Sequence, residues 1–191
     1  PGGRTVRRAA FLVKTDKGDP GVLLAEVKGG GAHKLELLSL AAHADQGSPT
    51  AVSVASDGSA AVVVGGARLL VRGPGERLGA VGALKRNAIL KLEGLDGQVR
   101  RVADVVAGPK GSAVAVVEVF VTEPGGAGEV RQALVAVKGG GVQKLRATGD
   151  PLPDAAEDVV DSFLLRRPTA GDAFCVVEVF RQGGASVPVD T

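Results

Sequence analysis

"GSAVAVVEVF", Gly111–Phe120, recurs 60 positions later as "GDAFCVVEVF", Gly171–Phe180, with seven of ten residues identical. The run is Val-rich, spans eight or nine residues, and lies between "GPKG" and "EPGG", the punctuation of a strand set between turns. Its apolar residues are nearly continuous instead of alternating, so the strand is expected to be covered on both faces of its sheet. Looser copies stand at "GSAAVVV", Gly58–Val64, and at "RAAFLVK", Arg8–Lys14. The four runs begin roughly 50 to 60 residues apart, a spacing at which one supersecondary unit buries itself by stacking on its neighbours.

A second duplication joins these runs. "VKGGGVQKL", Val137–Leu145, repeats "VKGGGAHKL", Val27–Leu35. Three glycines invite a phosphate-cradle reading, but the dinucleotide fingerprint needs G-x-G-x-x-G before a helix and the P-loop needs G-x-x-x-x-G-K-S/T. Neither spacing is present, and both copies lead into strand-like sequence. The triplets read as hairpin turns in which Gly supplies positive φ. One unit then runs "AVAVVEVFV", "TEPGGAGEV", "RQALVAVK", "GGG", "VQKLRATG", "DPLPDAAEDVVD" and a further strand "SFLLRR"; the first follows the same plan from "AAFLVKT" through "VLLAEVK" and "GGG" to "AHKLELLS". Between Ala51 and Val102 either "ARLLVRG" or "AILKLEG" serves as the third strand. "DAAEDVVDSFLL", Asp154–Leu165, fits a helix, with Ala155, Val159 and Phe163 at four-residue spacing, as well as it fits a strand.

The expected fold is all-β, a single β-propeller-like repeat domain over 1–191 of about four antiparallel blades. Approximate units are 1–49, 50–101, 102–160 and 161–191, the last completed by the N-terminal strands. A count of three units with an insertion is the alternative. Composition agrees: 29 Gly and 10 Pro supply turns, and without Met, Trp or Tyr the core is built from Val, Leu and Ala. The 23 basic and 21 acidic residues leave a net charge of +2, too little for a nucleic-acid field. No apolar run is long enough to span a membrane as a helix, and the run before Lys14 is too short for a signal h-region. The missing initiator Met suggests a processed or excerpted chain.

The chemical candidates are few. His33 and His43 offer imidazoles for metal or base chemistry, yet the internal copy carries Gln143 where the first carries His33. Cys175 stands alone, with Ala115 as its counterpart, and reads as a small buried hydrophobe instead of a nucleophile. The acidic run Asp150, Asp154, Glu157, Asp158 and Asp161 lacks the D-x-D-x-D-G calcium loop and reads as a solvated connector. The arginine pairs Arg7 and Arg8, Arg100 and Arg101, and Arg166 and Arg167 would line one surface if the units superpose, but strand-edge charge is the simpler reading. Glu118 and Glu178 sit at equivalent positions inside apolar strands, which places them at a blade edge or along a channel. No residue is assigned as catalytic, cofactor-binding or metal-ligating.

"LVAVKGGGVQKLRATGDPLPD", followed by "SFLLRRPTAGDAFCVVEVFRQGG", resembles bacterial propeller-type tandem repeats whose units run from an "aF.a" strand through a "GGG..L" turn to "TGDPLP". The resemblance covers most of the chain at strand level and is sharp from about Ala133 to Gly184. It implies a propeller of the kind often found in surface or secreted proteins, with no chemistry to carry over to particular residues. The expected function is a noncatalytic binding or structural module of a larger protein or assembly, contacting a protein or glycan partner through blade-end loops. Two alternatives are a hydrolase or lyase with carboxylates at the propeller centre, and a self-associating subunit whose terminal blades dock on other copies. Neither nucleic acid nor any cofactor is expected as a partner.

Overall fold

The computed structural model describes residues 7–28, 31–122, 126, 128–152, 155–166 and 176–181. Sheet I contains β1 (Arg7–Lys14), β2 (Pro20–Lys28) and β3 (Gly31–Ser39); sheet II contains β4 (Pro49–Val54), β5 (Ala60–Val64), β6 (Arg68–Arg72) and β7 (Gly79–Lys85). Sheet III contains β8 (Ile89–Leu92), β9 (Leu95–Ala107), β10 (Ala113–Thr122), β11 (Gly128–Lys138) and β12 (Gly141–Ala147). Sheet IV contains β13 (Pro151–Leu152), β14 (Ala155–Arg166) and β15 (Val176–Arg181). Within each sheet, strands adjacent in sequence are adjacent in space and antiparallel, so the chain is all-β and built from four meanders. Among the described residues there is no α-helix, only 3₁₀ turns at Ala41–Gln46 and Pro109–Gly111.

The glycine triplet makes the hairpin that its sequence predicts. Lys138 pairs with Gly141, and Gly139 and Gly140 between them have φ of 57° and 80°. Two consecutive positive φ values give a type I′ turn, whose twist matches that of the flanking strands. The first copy frames positions 29 and 30 with the same pairing, Lys28 to Gly31. The copies differ one step further on: a bulge falls at His33 in the first and at Leu145 in the second.

The sheets stack face to face in chain order, sheet I through β1 and β2 on β4, sheet II on β9, and sheet III on β14. Continuous apolar runs follow from this stacking. In β5, Ala60, Val62 and Val64 enter the core shared with sheet I, while Ala61 and Val63 enter the core shared with sheet III. In β10, Ala113, Ala115, Val117 and Val119 face sheet II, and Val116 packs with Val160, Phe163 and Leu165 of sheet IV. A side-chain period of two sends neighbours to opposite faces, and both faces are dry.

The structure decides several local readings that the sequence left open. "ARLLVRG" supplies β6, the third strand of sheet II, whereas "AILKLEG" supplies β8 and opens sheet III. The described part of "DAAEDVVDSFLL", Ala155–Leu165, takes the strand reading and not the helical one, as part of β14. Phe163 and Leu165 point into one core at a period of two, and a bulge at Asp161 brings Val160 onto the same face. The described part of "SFLLRR", Ser162–Arg166, pairs with β15 in sheet IV and is not an extra strand of sheet III. The unit boundaries drawn at 101/102 and 160/161 therefore fall inside β9 and β14. The recurring apolar run marks one kind of strand, seen as β1, β5, β10 and β15, and that strand comes first in sheet I, second in sheet II and third in sheets III and IV.

Candidate functional site

Where sheets III and IV part, the packing changes from apolar to polar. Beyond Val116 on the same face of β10 comes Glu118, and beyond Leu134 on β11 comes Gln132. These residues, with Glu129, Val130, Arg131, Thr148, Gly149, Val160, Asp161 and Ser162, line an open cleft of about 510 Å³. Its floor is fastened by backbone bonds: Gly149 N–H donates to the Val160 carbonyl at 2.8 Å, and Val160 N–H donates to the Asp150 carbonyl at 3.0 Å. Gln132 ties three elements together. Its side-chain Oε1 accepts from Phe163 N–H at 3.2 Å, its N–H donates to Thr148 Oγ1 at 3.2 Å, and its carbonyl accepts from Thr148 N–H at 2.8 Å.

Charge in the cleft is mostly paired. Glu118 accepts from Arg101 Nη2 at 2.6 Å, across the pairing of β10 with β9, and Glu129 is bonded to Arg131. Asp161 owes its place to the β14 bulge, which leaves it outside the ladder at the cleft wall. A second bulge, at Arg100 in β9, lets that guanidinium lie 4.7 Å from the centre of the Phe120 ring.

The other candidates disperse. Asp150 closes its own turn, accepting from Ala147 N–H at 2.8 Å and pairing with Lys144 at 3.4 Å, so it braces the chain beside the cleft. Glu157 and Asp158 lie along β14, while Asp154 is outside the described residues. Of the arginine pairs, Arg8 pairs with Glu26 on sheet I at 2.7 Å, whereas Arg100 and Arg101 belong to β9 of sheet III. Arg7 lies in β1 and Arg166 in β14, while Arg167 and Cys175 lie outside the described residues. His33 is a β3 residue, and His43 sits in the 3₁₀ turn with its Nδ1 buried and without a hydrogen-bond partner among the described residues. Glu178 is a β15 residue paired in register with Leu164. No group of three or more His, Cys, Asp or Glu among the described residues gathers to hold a metal ion.

Two polar seams escaped the sequence reading. Arg72 of β6 forks across to Glu36 of β3, Nη1 to Oε1 at 2.6 Å and Nη2 to Oε2 at 2.8 Å, and its Nη1 also donates to the Glu76 carbonyl at 3.0 Å. The guanidinium hydrogen bonds hold the Glu36 carboxyl below the usual range. A small cavity of about 30 Å³ lies beside this pair. Between sheets II and III, burial pushes Asp57 up, but bonds from Lys110 N–H, Ser59 N–H and the Ser59 hydroxyl outweigh it and leave the carboxyl lowered. Ser59 Oγ accepts from Gly111 N–H at 2.9 Å and Ser53 Oγ from Ala107 N–H at 3.0 Å. The second Arg of "RLLVR", Arg72, and the serines Ser53 and Ser59 in and beside apolar strands were the available signals.

No protein-family model, curated protein or solved structure matches this chain. Its functional reading rests on its own residues.

Proposed function

We propose that this chain is a noncatalytic binding module of β-propeller type, its four meanders serving as blades, and that it takes a protein or glycan partner in the cleft between sheets III and IV. The observation that carries this reading is the state of the cleft's carboxylates: Glu118 and Glu129 are already engaged by Arg101 and Arg131. Paired charges, hydroxyls and an anchored amide suit recognition by hydrogen bonds, and stacked sheets hold them rigidly. The resemblance to bacterial propeller repeats supports placement at a cell surface or in a secreted protein, as part of a larger polypeptide or assembly. The test is a screen of the purified chain on glycan and peptide arrays. Hits should vanish for Asp161→Arg, which blocks the cleft mouth, and persist for Ile89→Ser on β8. Hits indifferent to Asp161→Arg would move the site elsewhere.

A hydrolase or lyase is the second reading, because Glu118 and Asp161 line the same cleft. It requires turnover of a glycan or ester by the wild-type chain and its loss in both Glu118→Gln and Asp161→Asn. Binding without turnover favours the module.

A further inference from the structure

Among the described residues, the stacking rule leaves one face of sheet I without its cover. Ala9, Phe11 and Val13 of β1 align with Ala60, Val62 and Val64 of β5, and with Ala113, Ala115 and Val117 of β10. In β5 and β10 these positions face the preceding sheet, and each is at most 2% exposed. The intervening positions face the following sheet, as Ala61 and Val116 do, and Ala10 obeys the same rule by packing toward sheet II. Phe11 therefore faces the side where a preceding sheet would lie, and it is 52% exposed. Its register partners extend the patch: Phe11 pairs with Leu23, and Leu23 with Leu37, while Leu35 pairs with Ala25. Leu35 and Leu37 are exposed, whereas the residues equivalent to Leu23, Leu70 on β6 and Val135 on β11, are fully buried. Contiguous exposed leucine and phenylalanine on a sheet face mark an interaction surface.

The surfaces that cover the equivalent patches in sheets II and III are of one kind, the following face of another meander. On sheet IV the corresponding side is marked by one residue of β14, Leu164. Phe163 and Leu165 of β14 pack on sheet III, and Leu164 between them is exposed on the opposite side. We propose that the outer face of sheet I docks the outer face of sheet IV from a second copy of this chain, head to tail, continuing between copies the packing used within one. The two faces differ, so the contact is heterologous and leads to a closed ring or a growing stack. This inference goes beyond the cleft and does not depend on it.

The experiment is sedimentation velocity on the purified chain over roughly a hundredfold range of concentration. The wild-type chain should associate as concentration rises. Phe11→Glu/Leu37→Glu should be monomeric, and so should Leu164→Glu. Mixing these two variants in equal amounts should restore heterodimers, because each keeps one intact face. Ile89→Glu, at an exposed residue of sheet III outside the cleft, should associate as the wild type does. Circular dichroism checks that each variant folds, and Phe11→Ser/Leu37→Ser is the milder pair if the glutamates unfold it. A wild-type chain monomeric at every concentration overturns the proposal. So does a Leu164→Glu chain that still associates alone, since that would be sheet I pairing with itself.

Discussion

Arg72 and Glu36 lock sheet II to sheet I through two parallel hydrogen bonds, with the arginine side chain 4% exposed and the glutamate 36% exposed. A buried guanidinium left without its carboxylate bears the cost of desolvation alone. Glu36→Gln should lower stability by about 2 kcal/mol, less than for a fully buried pair because solvent screens the Glu36 side. Urea denaturation gives the value. Arg72→Met/Glu36→Leu should cost less than the sum of its single changes, and a double-mutant cycle with no coupling would contradict this account.

Acid should weaken the same seam and the one beside it. Glu36 and Asp57 both titrate lower in the folded chain than their ordinary values of 4.5 and 3.8. The unfolded chain therefore takes up protons first as pH falls, so the stability these groups contribute is whole above their ordinary values and is lost as pH drops through the lowered folded ones. Glu36→Gln and Asp57→Asn should each flatten the acid limb of a stability–pH curve while leaving its neutral-to-basic limb parallel to wild type.

Leu69 and Leu70 are neighbours on β6, both fully buried, in different cores. In a sheet with one wet face only one of such a pair would matter. Here Leu69→Ala and Leu70→Ala should each cost about 2–5 kcal/mol, the range for cavities in a packed core. Leu145→Ala, at an exposed bulge position, should stay within about 0.5 kcal/mol of wild type. Thermal or chemical unfolding of the three variants measures the contrast.

Gly65 and Gly140 both have positive φ, 58° and 80°, but their surroundings differ. A Cβ on Gly140 meets nothing within 4 Å, whereas one on Gly65 would lie 1.7 Å from the Gln46 carbonyl oxygen. Gly140→Ala should cost about 1–2 kcal/mol from left-handed backbone strain alone. Gly65→Ala should cost clearly more, since the 3₁₀ turn must move as well, and equilibrium unfolding orders the two.

Much of the architecture is legible in particular residues. "AVAVVEVF" shows that both faces of its strand are covered, and the glycine triplet marks a two-residue hairpin, because each depends on a handful of adjacent positions. "DAAEDVVDSFLL" was ambiguous because its apolar residues satisfy a helical period unless a bulge is inserted at Asp161, and the bulge arises only when β14 pairs with β15. The cleft was half visible. Glu118 and Asp161 each attracted notice, but 43 positions of sequence separate them, and nothing local says that they share a wall.

By itself the sequence determined that the chain is a repeating series of antiparallel strands, turned at glycines and packed with Val, Leu and Ala. Only the tertiary structure decided which strands share a sheet, that Arg72 reaches Glu36, and that Phe11 stays uncovered where Val62 and Ala115 are buried. The reason is the range of the interactions. Side-chain period and turn chemistry act between neighbours along the chain, while sheet membership, inter-sheet ion pairs and the burial of a face depend on which distant segment comes to lie against it.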